Sequence, residues 1–164
     1  MPAIKKSSRL YNGCLLSDFN AVLVLEDGSV FYGRGAGIPG VSVGEVCFNT
    51  SFTGYQEILT DPSYAGQIIN FTFPHIGNVG ANNEDMESEI SVARGAIFRM
   101  DISEPSNWRA ATDLQNWLKE QKLTVISGID TRSLTRRIRN TGAVTGVIAY
   151  DTNGIQERNI SNLL

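Results

Sequence analysis

Apolar and polar positions follow short extended runs over the first hundred residues, and a helical period appears only afterwards. Ala21 to Leu25 is continuously apolar, Glu26-Asp27-Gly28 interrupts it, and Val30-Phe31-Tyr32-Gly33 resumes. This pattern predicts a β-hairpin with a two-residue primed turn at Asp27-Gly28, because that dipeptide supplies the positive φ such turns require. The run Gly33-Arg-Gly-Ala-Gly-Ile-Pro-Gly40 is expected to break regular structure, and Val43 to Asn49 predicts a third strand. Ser51 to Tyr64 mixes turn residues with large apolar ones. A short helical turn is expected around Gln56 to Leu59, stopped at Asp61-Pro62 because the residue before proline is pushed out of the helical region. Gln67 to Phe73 predicts a buried strand ended by Pro74, Gly77 to Ala81 a loop, and Val92 to Arg99 another strand.

Leu114, Trp117 and Leu118 fall at i, i+3 and i+4 behind Asp113, which predicts a capped helix over Leu114 to Gln121. Leu123 to Gly128 reads as a strand. Asp130 then caps a helix from Thr131 to Asn140 that ends at Gly142. Ala143 to Tyr150 closes with a strand, and residues 151–164 are weakly patterned. The expectation is one mixed α/β domain over residues 21–150, with roughly seven strands and two or three short helices. Residues 1–20 read as a flexible N-terminal extension.

Composition narrows the classes. The chain has 164 residues, 41% of them hydrophobic, enough to bury a core without a disulfide or metal. Its net charge of −3 gives no general attraction to nucleic acid or anionic lipid, so neither is an expected partner. No apolar run approaches the roughly 18 residues that span a bilayer. One His and two Cys exclude most metal sites and any disulfide framework, and no metal or cofactor is expected on this chain. Cys14 and Cys47 read as reduced thiols of a cytoplasmic protein. Met1 to Asn20 lacks a signal peptide's apolar core, but its Lys5, Lys6 and Arg9 leave an organelle transit peptide as the alternative to a frayed end. Asn49, Asn70 and Asn159 match the glycosylation pattern, which matters only after secretion.

Four constellations could carry chemistry. Gly35-Ala-Gly37-Ile-Pro-Gly40 matches GxGxxG, yet a dinucleotide site needs a helix to open there, and the strand-like residues after Pro39 supply none. Cys47 and His75 could form a thiolate–imidazolium pair. Cys47 sits inside a predicted strand with no adjacent cation to lower its pKa, so a small buried thiol is the simpler reading. Glu84, Asp85, Glu87 and Glu89 lack the spacing and central Gly of a calcium loop and read as a solvated surface. Arg132, Arg136 and Arg139 share one predicted helical face, with Arg137 beside it, suited to a partner's carboxylates or simply to solvent. No complete catalytic site emerges from the residues themselves.

Three longer stretches are more specific. They are Gly44-Glu-Val-Cys-Phe-Asn-Thr-Ser-Phe-Thr-Gly-Tyr-Gln-Glu-Ile-Leu-Thr-Asp-Pro-Ser-Tyr64, Phe73-Pro-His-Ile-Gly-Asn-Val-Gly80 and Gly128-Ile-Asp-Thr-Arg-Ser-Leu-Thr-Arg136. Together with Leu25-Glu-Asp-Gly28 and Gly142-Ala-Val-Thr-Gly146, they closely resemble the small subunit of glutamine-dependent carbamoyl phosphate synthetase. The resemblance covers nearly all of Ala21 to Tyr150. It implies an N-terminal β/β/α domain of the swivelling type, followed by an amidotransferase domain whose Cys–His–Glu triad hydrolyses glutamine. It further implies a large-subunit partner that uses ATP and Mg, receives the ammonia and makes carbamoyl phosphate for pyrimidine and arginine synthesis. Residues 151–164 are then expected to begin a linker to an amidotransferase domain outside this sequence, so no catalytic residue is expected here and the chain alone should be inactive. One binding residue carries over: Ser63, in Asp61-Pro62-Ser63, matches a family position that reaches towards glutamine. Arg132, Arg136 and His75 are the expected interface residues. The alternative is a stand-alone interaction or ligand-binding domain without catalysis.

Overall fold

The computed structural model describes residues 10–11, 14–155 and 160. Two short strands, β1 (Leu10–Tyr11) and β2 (Cys14–Leu15), pair with each other. The remaining strands are β3 (Ala21–Leu25), β4 (Val30–Gly37), β5 (Gly40–Asn49), β6 (Gln67–Phe71), β7 (Gly95–Ile97), β8 (Thr124–Ser127) and β9 (Val144–Tyr150). These seven close into a barrel in the order β3-β4-β8-β7-β6-β5-β9. Pairing is parallel from β5 through β6 and β7 to β8, and antiparallel elsewhere. The helices α1 (Tyr55–Thr60), α2 (Leu114–Glu120) and α3 (Thr131–Thr141) pack around the barrel. The fold is the mixed α/β class read from the sequence.

Alternation along the strands separates two apolar layers. Leu23, Leu25, Val46, Ile68, Ile97, Ile126 and Ile148 come from six strands and form one cluster, so they point into the barrel. Leu134 and Ile138 of α3 join that cluster, placing the helix over one end of it. Outside, Ile69, Phe71, Ala96 and Val125 on the parallel strands pack under Leu59 of α1 and Leu114, Trp117 and Leu118 of α2. The helix starts are fixed as their sequences suggest. The Asp113 carboxylate accepts the Asn116 N–H at 2.8 Å, and that of Asp130 accepts the Ser133 N–H at 3.1 Å.

Several local expectations need correction. The β3–β4 turn is not a two-residue primed turn: the Gly28 N–H donates to the Leu25 carbonyl (2.9 Å), the Leu25 N–H donates to the Ser29 carbonyl, and only Gly28 has positive φ. A longer loop with a left-handed glycine results. The Gly-rich run breaks regular structure only at Ile38-Pro39, between Gly37 and Gly40 of positive φ, because β4 continues through Gly33 and Gly35 to Gly37. A side chain at Gly35 would collide with the Tyr150 ring, so glycine serves a close approach there rather than flexibility. The strands expected over 67–73 and 92–99 shorten to Gln67–Phe71 and Gly95–Ile97. Of the expected extension, residues 1–9, 12 and 13 lie outside the described residues, as does Asn159.

Candidate functional site

Ser63 stands on a single 3-10 turn, Pro62–Tyr64, directly after α1. Asp61 leaves the helix in an extended conformation (φ −69°, ψ 121°), as a residue before proline favours. Its carboxylate accepts the Ser63 N–H at 2.8 Å and so caps the turn. On the other side, the Asn49 side-chain amide donates to the Tyr64 hydroxyl at 3.0 Å, while the side-chain carbonyl of Asn49 accepts the Ser51 N–H. The turn is held by its neighbours, and Ser63 is exposed with its hydroxyl unused among the described residues.

His75 is exposed in the loop that follows β6. Its ring lies 6.1 Å from that of Phe73, which meets Phe52 edge-on at 5.6 Å. These three, with Ile76 and Val79, line an apolar notch of about 160 Å³. Phe52 is 75% exposed at its rim, so much of its ring stays in solvent despite the contact with Phe73.

The arginines of α3 divide. Arg137 binds Asp27 and Ser29. The Ser29 hydrogen bonds, and after them the Arg137 guanidinium, hold the Asp27 carboxyl below its usual pKa. Arg139 lies over the Phe48 ring at 5.2 Å. Arg132 and Arg136 are exposed and make no hydrogen bond or ion pair among the described residues. They follow β8, and the start of α3 is tied to β6 by the Asn70 amide, which donates to the Thr131 carbonyl and the Thr135 hydroxyl. Thus Arg132 and His75 both follow the C-terminal ends of parallel strands. Ser63 precedes β6, and no hydrogen bond or ion pair joins it to His75, Arg132 or Arg136 among the described residues.

The rival constellations do not assemble. Cys47 is half-buried in β5; burial, helped by the Glu45 charge, pushes its thiol up to about 11, the opposite of an activated nucleophile. No hydrogen bond links it to His75 among the described residues. Gly35 and Gly37 belong to a strand and open no helix, so the phosphate reading fails. Glu84 and Asp85 are taken by Arg109, at 3.4 and 2.9 Å. Asn70 is fully buried and Asn49 is bonded to Tyr64, which makes both poor glycosylation acceptors. No helix among the described residues is long and apolar enough to cross a membrane.

Sequence reasoning missed Asn49, which steadies the Ser63 turn, and Phe52. The available signal for Phe52 was an aromatic placed among turn residues, Ser51-Phe52-Thr53-Gly54, where no periodicity can bury it.

Residues 23–148 match the family model described as carbamoyl-phosphate synthase small chain, CPSase domain. The carbamoyl phosphate synthase small chain of Bartonella henselae is 57% identical over 138 residues, covering 82% of this chain and 35% of its own length. That of Mesorhizobium japonicum is 57% identical over 139 residues, with the same shares. That of Brucella ovis is 59% identical over 138 residues, covering 82% of this chain and 34% of its own. The chain thus spans about a third of the length of the curated relatives it matches.

Proposed function

The chain belongs to the carbamoyl-phosphate synthase small-chain family, and from that premise we propose that it is the N-terminal part of a glutamine-using subunit. In this reading it docks on the large synthetase subunit and completes one edge of the glutamine site, while the residues that hydrolyse glutamine lie outside it. ATP and Mg belong to the partner. Ser63 offers a hydroxyl to the polar end of bound glutamine, and Arg132, Arg136 and His75 face the large subunit.

The observation that carries this reading is the preorganised Ser63 turn. Its backbone is capped by Asp61, and its hydroxyl has no partner within the described residues. A hydroxyl held this way can gain a ligand hydrogen bond without first losing one, and Pro62 limits the conformational freedom lost on binding. The Arg132 and Arg136 guanidiniums, left unpaired among the described residues while Arg137 and Arg139 are engaged, support an acidic counterpart on the partner.

The test is kinetic and uses the assembled synthetase. Ser63→Ala should raise the KM for glutamine by roughly five-fold, the worth of one hydrogen bond of about 1 kcal/mol, and leave synthesis from free ammonia unchanged. An unchanged glutamine KM would remove Ser63 from the site.

A further inference from the structure

The outer face of β4–β3–β9–β5 carries two apolar rows. Strand register sets Tyr32, Val22, Ala149 and Val41 in one line, and Val30, Val24, Val147 and Val43 in the next. Thr145 and Glu45 form the polar boundary beyond them. A closed barrel has no free edge, so these rows can be covered only by material laid across the strands. At the β3 side such cover exists: Ile155 and Ile160 pack against Val22, Val24 and Ala149. At the β5 side it stops, and Val41 and Val43 are 62% and 53% exposed.

The same two valines line a cleft of about 570 Å³ that Arg94 and Lys122 also line. Among the described residues no carboxylate lines the cleft, and neither cationic side chain has a hydrogen-bond or ion-pair partner. Lys122 also stands at φ 55°, the only non-glycine with positive φ among the described residues. Glycine is the favoured residue at that helix-terminal position, so a lysine there retains a charge against a backbone cost.

We propose that the β5 end of this face seats the polypeptide that continues past residue 164 in proteins of the relatives' length, with an acidic side chain meeting Arg94 and Lys122. Two observations select this occupant. The chain covers 35% of the Bartonella henselae relative, so most of such a protein lies beyond it. And Ile160 already rests on these apolar rows, within about two strand spacings, on the order of 10 Å, of Val41 and Val43. The inference rests on family membership and on the reading of this chain as part of a longer subunit. It does not require Ser63 to meet glutamine.

Thiol labelling tests it. Val43→Cys should react with a maleimide, followed at the peptide level, at the rate of an open thiol in the 164-residue chain. In a chain whose residues 1–164 are followed by the remainder of the Brucella ovis relative, labelling should slow by an order of magnitude or more. Adding Arg94→Glu should restore much of the lost rate. Equal labelling in both chains would overturn the proposal. So would protection that appears only with the large subunit, or only as the concentration of the short chain rises, since these assign the face to a different partner or a second copy. A failed Ser63→Ala prediction, with the Val43→Cys thiol still protected, would reject the glutamine contact and leave this seat standing.

Discussion

The two outer faces of the barrel are finished to different degrees. Over the parallel strands β6, β7 and β8, the helices α1 and α2 and the loop after β6 cover the apolar side chains, with Leu59, Leu114, Leu118 and Phe98 fully buried. Over the antiparallel strands, Ile155 and Ile160 cover one half of the rows and leave Val41 and Val43 open. Connectivity explains the difference. Parallel neighbours need crossovers of a dozen or more residues, and those crossovers are the cover. The antiparallel side is joined by the β3–β4 hairpin, by the short link between Gly37 and Gly40, and by α3, which packs with the barrel-interior cluster at one end, so none of these covers the outer face. Such a face must take its cover from elsewhere in the polypeptide or from a partner.

The largest effect expected from this contrast is in truncations. Phe98→Ala, which removes the edge-on contact with Phe71 at 5.6 Å, should cost about 3–5 kcal/mol in urea unfolding. Val43→Ala in the same chain should stay within about 0.5 kcal/mol. Similar losses at the two sites would erase the distinction. Next come the caps that start the helices. Asp113→Ala should cost about 1 kcal/mol. Asp130→Ala should cost somewhat more, since it also releases Arg99, 3.4 Å away.

Two ionisable groups sharpen the comparison further. The Cys47 thiol holds its proton more tightly in the folded chain than in the unfolded one. Its contribution is therefore intact below the ordinary thiol value near 9.0 and falls away as pH rises towards about 11. Cys47→Ala should flatten the alkaline loss of stability over that window, and native Cys47 should alkylate far more slowly at pH ~8 than an open cysteine. Asp27 has the opposite sign: its lowered pKa supports the fold above the ordinary carboxylate range and loses that support as pH falls through the folded value. Asp27→Asn should soften acid unfolding slightly, the smallest of these effects because the pair with Arg137 is partly exposed and screened by solvent.

Two capped helices and most strands were legible from local chemistry, because an Asp before a periodic apolar set, as at Asp113 and Asp130, states its own structure. Closure of the barrel was not, since β9 pairs with both β3 and β5, and those contacts are remote in sequence. For the same reason Gly35 read as a turn residue: its reason is the Tyr150 ring on a distant strand. At the candidate site, Ser63 was an expectation from family resemblance, whereas the hydrogen bond from Asn49 to Tyr64 that steadies its turn depends on folding. The face shared by Arg132, Arg136 and Arg139 was readable as a spacing. That Phe48 engages Arg139, while Arg132 and Arg136 stay unpaired among the described residues, required the neighbours.

Docking on the large subunit is the claim on which the functional account turns, and co-elution on size exclusion at low salt measures it most directly. This chain should shift into a complex with the cognate large subunit. Arg132→Glu with Arg136→Glu should return the chain to its own elution volume without changing its thermal unfolding. Separate elution of the unaltered chain would contradict docking by this domain, and a complex indifferent to the double substitution would contradict the α3 face.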